Sequence, residues 1–451
     1  MGLGKTIIAL KKIDLLIRLG IIENALVVCP LSVVETWVTE IERHTTLTYT
    51  RLKGSVRDKI RALKKDSQIF LISYDSIPGR KSTLGILLKA LFIKNFGFIV
   101  LDEVTYVKNY RALRTKAITI LCDKISRSMA LSGTPITNSP EQVITLYRIV
   151  DGGQTFGKNF FAARNKFFEN RGYAFPDWRL REETKEEFKQ RLFLNAIRVL
   201  KSEALDLPDK IFTERYADMT AEQLSLYIPI AEELLHEIRL PAGKVKIQNA
   251  LVKVAKLSQI TNGFIYTDNS TQVFTNNPKL QLLQEVINEI PQNKKIIVFA
   301  KWVQDIKSIK QYLLDNAIGH AAIDGSTTHR ENIIKEFLND EDKKILLAQI
   351  TVGAYGLNLA VASYVIYYST GFSVNEWLQS QDRVHRIGQT EPCVYISLLC
   401  SNSIDAYIYQ SLKEHTDLAR SLLNEKSILR LKDNLQLQIS RARKPLNLFK
   451  G

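Results

Sequence analysis

The chain has 451 residues, 45% hydrophobic and 24% charged, the composition of a soluble globular protein too long for a single core. No apolar run reaches the length of a membrane span and no signal peptide is recognisable at the start, so the chain is expected to stay where it is made: the cytoplasm in a prokaryotic or viral setting, the nucleus in a eukaryote. The 62 Lys and Arg against 47 Asp and Glu leave a net charge of +15, which suits a polyanionic partner, nucleic acid first.

Met1-Gly2-Leu3-Gly4-Lys5-Thr6 reads as the second half of a phosphate-binding loop. Gly2 and Gly4 let the backbone turn its N–H groups inward, Lys5 offers a point charge to the outer phosphates, and the Thr6 hydroxyl can ligate Mg2+. A helix over Ile7 to Leu19 would direct its positive end at the same anion. By itself the segment also reads as a glycine turn before an amphipathic helix.

To about residue 150, apolar runs alternate with helical patterns: Ala25 to Cys29, Gln68 to Tyr74, Phe98 to Asp102 and Ser128 to Leu131. Runs that are apolar throughout are strands buried on both faces of a parallel sheet, so an α/β domain is expected. Residues 151–210 turn charged and phenylalanine-rich (Phe156, Phe160, Phe161, Phe167, Phe168, Phe188, Phe193), read as a helical protrusion with the rings in its core. A strand near 211–217 is expected to return to the first domain. Residues 218–278 read as a second helical protrusion with a polar linker over Thr267 to Pro278. The α/β rhythm then resumes over 279–415, with strands at Lys294 to Ala300, Ala321 to Asp324, Lys344 to Ala348, Tyr364 to Tyr368 and Cys393 to Leu399. Residues 416–451 carry eight Lys or Arg against three Asp or Glu and form either a helical brace or a phosphate-contacting tail. Cys29, Cys122, Cys393 and Cys400 lack metal-ligand spacing and read as core thiols.

Asp102-Glu103 closes the third apolar run, and carboxylates at the C-terminal edge of a parallel sheet sit where ligands bind. In a phosphate-loop ATPase the first acid serves Mg2+ and the second polarises the attacking water. Leu131-Ser132-Gly133-Thr134-Pro135 is a strand running into a forced turn, suited to sensing that acidic edge. Far downstream, Gln379, Arg383 and Arg386 are spaced i, i+4, i+7 and share one face if the segment is helical. Such arginines are either a solvated face or a source of charge for a phosphoryl-transfer transition state.

In order along the chain, MGLGKT, VCPLSVVETW (Val28 to Trp37), LDEVTYVKN (Leu101 to Asn109), LSGTPITNSPEQ (Leu131 to Gln142), VLKSEALDLPDK (Val199 to Lys210), DGSTTHR (Asp324 to Arg330), YGLNLAVA (Tyr355 to Ala362) and QSQDRVHRIGQ (Gln379 to Gln389) resemble the motif series of Swi/Snf-type, superfamily-two helicase-like ATPases. The resemblance implies an α/β fold of two RecA-like, parallel-sheet lobes of the P-loop NTPase kind with helical insertions between them. It implies ATP and Mg2+ as cofactors and double-stranded DNA, without sequence specificity, as the track of a translocase. Carried over, Gly2, Gly4, Lys5, Thr6 and Gln379 bind ATP, and Thr6 and Asp102 serve the metal. Glu103, Arg383 and Arg386 are catalytic; Ser132, Gly133 and Thr134 couple nucleotide state to movement. DNA contacts fall to Pro30, Ser32, Ser73, Tyr74, Lys108, Asn109, Gly325, Ser326, Gly353, Gly356 and Asn358. Trp37 and Trp377 are read as packing residues.

The pattern departs at Val104-Thr105, where Ala-His is usual, and at Ala354, where glycine is usual. The strand and adenine-reading segment that precede the phosphate loop in the family are not in the sequence, and Met1 is expected to be an internal residue of a longer lobe. A DNA-binding fragment without turnover and an RNA remodeller are the rival readings.

Overall fold

A computed structural model describes residues 3–77, 81–133, 139–171, 178–238, 247–327, 330–353, 358–415 and 425–443. The chain divides into two compact units, Met1–Leu205 and Asp206–Gly451.

The first unit runs α1 (Lys5–Arg18), β1 (Ala25–Cys29), α2 (Val34–His44), β2 (Tyr49–Arg51), α3 (Val56–Leu63), β3 (Ile69–Ser73), α4 (Lys81–Lys94), β4 (Phe98–Leu101), α5 (Leu113–Lys124), β5 (Ser128–Ala130), α6 (Val143–Val150), α7 (Phe160–Phe167), β6 (Phe168–Asn170), β7 (Trp178–Leu180), α8 (Lys185–Leu194) and α9 (Lys201–Ala204). Its sheet is parallel throughout, in the order β2-β3-β1-β4-β5. The reason β1 must be apolar at every position is the two-residue period of a strand. Leu26 and Val28 join one core with Phe70, Ile72, Ile99, Leu101 and the buried faces of α4 and α5. Ala25, Val27 and Cys29 join the other with Ala9, Leu10 and Ile13 of α1 and Trp37, Val38 and Ile41 of α2. Truncating one such residue, Ile13 for example, should cost about 2–5 kcal/mol through transfer and cavity terms.

Beyond α6 the helical expectation needs correction, because β6 and β7 form an antiparallel hairpin within it. Phe156, Phe167, Phe168 and Phe188 pack with Val143 and Ile144 into a small separate core, as the spacing implied, whereas Phe161 and Phe193 are exposed.

The second unit contains β8 (Lys210–Ala217), α10 (Ala221–Ile238), α11 (Ile247–Thr261), β9 (Phe264–Tyr266), β10 (Thr271–Val273), α12 (Pro278–Glu289), β11 (Lys295–Ala300), α13 (Val303–Asp315), β12 (His320–Ile323), α14 (Arg330–Asn339), β13 (Ile345–Gln349), α15 (Ile350–Gly353), β14 (Ala362–Tyr367), α16 (Val374–Val384), β15 (Cys393–Cys400), α17 (Ile404–Lys413) and α18 (Glu425–Arg443). Its six-stranded sheet, β12-β13-β11-β14-β15-β8, is also parallel. Here the expectation for 211–217 is overturned: β8 does not return to the first sheet. It pairs along its whole length with β15, from Lys210 against Cys393 to Ala217 against Cys400. Within the stretch read as a polar linker, Thr271–Val273 forms a hairpin with Phe264–Tyr266. Leu431 and Leu435 of α18 are fully buried in a core shared with Tyr227 and Leu234 of α10, so residues 425–443 are a brace; the basic end beyond them lies outside the described residues.

One buried polar network ties this unit together. The Lys279 ammonium, at the start of α12, donates to Asp405 at 2.6 Å and to the Asn262 side-chain oxygen Oδ1 at 2.9 Å. Asp405 also accepts from the Thr261 hydroxyl at 2.8 Å and the Cys400 amide at 3.1 Å. Nearby, burial pushes the Asp305 carboxyl up to about 7 while Ser369 and the Trp302 amide donate to it.

Among the described residues no helix is long and apolar enough to cross a membrane, and all four cysteines are free thiols.

Candidate functional site

Because the strands of the first sheet are parallel, their C-terminal ends share one edge. Pro30 and Ser32 follow β1, Ser73 ends β3 and Tyr74 follows it, Asp102 and Glu103 follow β4, and Ser132 and Gly133 follow β5. A helix packed on the sheet that delivers its chain to the start of β1 must itself begin at that same edge. The start of α1, Gly4 to Thr6, therefore joins them.

The Gly4 backbone is left-handed, φ 72°, and an added Cβ would meet nothing within 4 Å. Glycine is needed there for the backbone angle, since side chains strain in that region. No side chain caps the N-terminus of α1 and no acid lies in its first turn, so its leading amides face outward at the positive end of a fourteen-residue helix. A helix N-terminus of this kind is an environment that favours negative charge.

Asp102 is 5% exposed, and its two oxygens are held differently. One accepts from the Trp37 indole N–H at 2.9 Å, the other from the Glu103 amide at 2.9 Å. Trp37 is fully buried, so its reading as a packing residue is incomplete: it also orients the carboxylate. Glu103 itself is left-handed, φ 47° and ψ 56°, a conformation costing a non-glycine residue about 1–2 kcal/mol. Such a conformation persists only where the surrounding structure holds it in place. The Val104 amide donates to the Leu131 carbonyl at 3.0 Å, which brings Ser132 beside the acidic pair. Burial, with the charge of Asp102 added, pushes the Cys29 thiol and the Tyr74 phenol well up, so both stay neutral.

Of the expected DNA contacts in this unit, Asn109 is exposed, Ser32 and Lys108 are half-exposed, and Pro30 is buried. Tyr74 is fully buried and stacked on Tyr106, and Ser73 exchanges hydrogen bonds with Ser76. The Tyr74 side chain is therefore a core element, which leaves only its main chain for the expected DNA contact. Gly2 and Thr134 lie outside the described residues.

In the second unit, Gly325 and Ser326 follow β12 and Gly353 ends α15 just after β13, again at C-terminal strand ends. Asp324 shapes the first loop by accepting from the Ser326 hydroxyl at 2.7 Å, the Ser326 amide at 2.9 Å and the Thr327 hydroxyl at 3.0 Å, which hold its carboxyl below the usual range. Gln349 joins two loops, accepting from the Gly325 amide and donating to the Lys301 carbonyl, each at 3.1 Å. Sequence reasoning missed Gln349; its place as the last residue of an apolar strand was the available signal.

Gln379 and Arg383 lie on α16, but the helix ends at Val384, and Arg386 sits in the turn that follows. The single helical face expected for Gln379, Arg383 and Arg386 is thus corrected to a helix plus a turn. Gly388, φ 99°, closes that turn. Gln389 pins it by donating to the carbonyls of Ala360 and Ala362, at 3.2 and 2.8 Å, and His385 meets the Pro208 carbonyl at 2.7 Å. The Leu359 amide donates to the Arg383 carbonyl at 3.0 Å, which sets the Asn358 loop beside α16. Gly356 lies outside the described residues. Trp377 packs beside Phe212, as expected of a core residue.

Two parallel α/β units, the first with a glycine-led helix start and a carboxylate pair at one sheet edge, define a P-loop type of nucleotide-binding architecture. Comparison with known proteins sharpens the class. Residues 1–277 match the SNF2-related domain and residues 278–388 the helicase conserved C-terminal domain, so the chain belongs to the SNF2-related family of helicase-like ATPases. It is 26% identical over 439 residues to an uncharacterized ATP-dependent helicase of Mycoplasma genitalium, covering 94% of this chain and 40% of that protein. It is also 26% identical over 438 residues to the human DNA annealing helicase and endonuclease ZRANB3, covering 94% of this chain and 38% of that one. The chain thus spans about two fifths of the length of these relatives. Among solved structures, the Sulfolobus solfataricus SWI2/SNF2 ATPase core in complex with dsDNA is 24% identical, with a TM-score of 0.42 and coverage of 96% of this chain and 90% of that one.

Proposed function

We propose that this chain is the motor core of a DNA-stimulated ATPase that moves along duplex DNA without reading its sequence and remodels what is bound there. The observation that carries the reading is the meeting, at one sheet edge, of an uncapped helix start led by left-handed Gly4 with the oriented Asp102 and the strained Glu103.

The donor set fits the groups the reading requires. Helix amides and the Lys5 ammonium suit phosphates, and the Thr6 hydroxyl with the Asp102 carboxylate are the hard oxygen donors that Mg2+ prefers. Thr6 and Asp102 would hold the ion, which when bound neutralises phosphate charge. Glu103 would take the proton of the attacking water. Its left-handed backbone fixes where the carboxylate leaves the chain. Gln379 would contact the nucleotide from the second unit, and Arg383 and Arg386 would supply guanidinium charge to the transition state, an effect worth about 10³ to 10⁵ in rate. Ser132, Gly133 and Thr134, following the strand beside the acidic pair, would transmit nucleotide state. Small and hydroxyl residues at Ser32, Ser73, Gly325, Ser326, Gly353 and Gly356, with Pro30, Lys108, Asn109, Asn358 and the main chain at Tyr74, would follow the DNA backbone, which carries no base information.

The test is ATP hydrolysis by the purified chain with and without duplex DNA. Duplex DNA should stimulate turnover, and Lys5→Ala, Glu103→Gln and Arg386→Ala should each abolish it. Turnover indifferent to DNA and to these substitutions would sink the reading. Stimulation by RNA in preference to duplex DNA would favour an RNA remodeller; salt-sensitive DNA binding without ATP binding would mark a fragment that does not turn over.

A further inference from the structure

Not all the phenylalanines of residues 151–210 are spent on the small core. Phe160 and Phe161 open α7, and Phe161 is 45% exposed. Tyr110 lies against both, stacked on Phe160 with ring centroids 4.2 Å apart and edge-on to Phe161 at 5.2 Å. Arg164, one turn along α7, places its guanidinium 5.2 Å from the Phe161 ring centre and 3.8 Å from that of Trp178. The Arg111 guanidinium lies 5.4 Å from the Tyr110 ring centre and donates to its hydroxyl at 2.8 Å.

The result is a surface of aromatic rings interleaved with guanidinium groups. Neither contributing segment holds a carboxylate: α7 reads FFAARNKF and residues 108–113 read KNYRAL. Tyr110 is two residues beyond Lys108, at most about 7 Å of chain. Phe161 keeps part of its ring in solvent at the start of an acid-free helix. Aromatic faces with flanking cations are the chemistry that receives unpaired bases, because every base offers a π-face and every nucleotide a negative charge.

We infer that the Tyr110–Phe160–Phe161 surface, with Arg111 and Arg164, is a stacking platform for unpaired nucleotides, giving the chain affinity for single-stranded stretches beside the duplex it tracks. The inference rests on the proposed nucleic-acid function and deepens it.

Stacking reads the base and phosphate contact does not, so the full chain, without nucleotide, is titrated with fluorescent oligo-dT and with an abasic deoxyribose-phosphate oligomer of equal length. The wild type should prefer oligo-dT by about tenfold, the order expected from one stacked base. Phe161→Ala should remove that preference and Phe161→Trp should keep it. Because Phe161 is exposed, its truncation should leave the thermal midpoint in place; Arg164→Ala provides a second variant should Phe161→Ala prove unstable. Equal wild-type affinity for the two oligomers, or a preference unmoved by Phe161→Ala, would overturn the inference and point to a protein contact. Absence of DNA-stimulated ATP hydrolysis in the wild type would instead defeat the motor reading, and it leaves the base preference measurable.

Discussion

Trp37 offers a sharp test of how the first unit works. Replacing it with Phe keeps an aromatic ring in a fully buried site and removes the indole N–H that reaches Asp102 at 2.9 Å. A hydrogen bond to a charged group contributes about 1.5–3 kcal/mol, and a buried oxygen left without it bears the desolvation cost. The smaller ring adds a cavity term of its own. Folding stability by chemical denaturation should therefore fall by about 2–4 kcal/mol. Stability alone does not separate orientation from packing, so the decisive assay is DNA-stimulated ATP hydrolysis titrated with Mg2+. Losing the group that orients a metal-binding carboxylate commonly costs about 10- to 100-fold in metal affinity or activity. The variant should need at least about tenfold more Mg2+ for half-maximal rate. A Mg2+ dependence within twofold of wild type, in a variant that is folded at the assay temperature, would show that Trp37 only fills space.

Other consequences are as direct. Asp305 has its carboxyl raised from 3.8 to about 7 by burial. Between those values the folded protein holds a proton that the unfolded chain releases, so stability falls as pH rises through this window. From pH 6 to pH 8 the wild type should lose about 1 kcal/mol that Asp305→Asn does not, measured by urea denaturation at each pH. Lys279→Met strands the buried Asp405 carboxylate and should cost about 3–5 kcal/mol, whereas Lys279→Met with Asp405→Leu should recover much of the loss. At Gly4, alanine meets no neighbour but must hold φ 72°; about 1–2 kcal/mol of strain should appear as weaker nucleotide binding by calorimetry or as lower stability.

How much of this was legible beforehand follows from what each feature depends on. A strand buried on both faces carries its own signature, so Ala25–Cys29, Ile69–Ser73, Phe98–Leu101 and the main strands of the second sheet were readable from apolar runs. The turn at Gly4 was readable too, because its conformation is open to glycine and strained for other residues. Lys210–Ala217 is an edge strand with exposed positions on it, and its sequence says strand without saying whose. Only the pairing with Cys393–Cys400 assigns it to the second sheet. Arg386 leaves the helical face because α16 stops at Val384, after which Gly388 closes a turn pinned by Gln389 contacts to Ala360 and Ala362, residues distant in sequence.

The sequence by itself determined the local chemistry: which segments are strands, which glycine turns, where the acids and arginines fall. Partnership across the chain was decided only in three dimensions. Trp37 and Asp102 are 65 residues apart, and nothing in either segment announces that an indole N–H will meet a carboxylate. Their bond exists because β1 pairs with β4 and α2 packs on the face they share, a matter of register and burial that local preference does not encode.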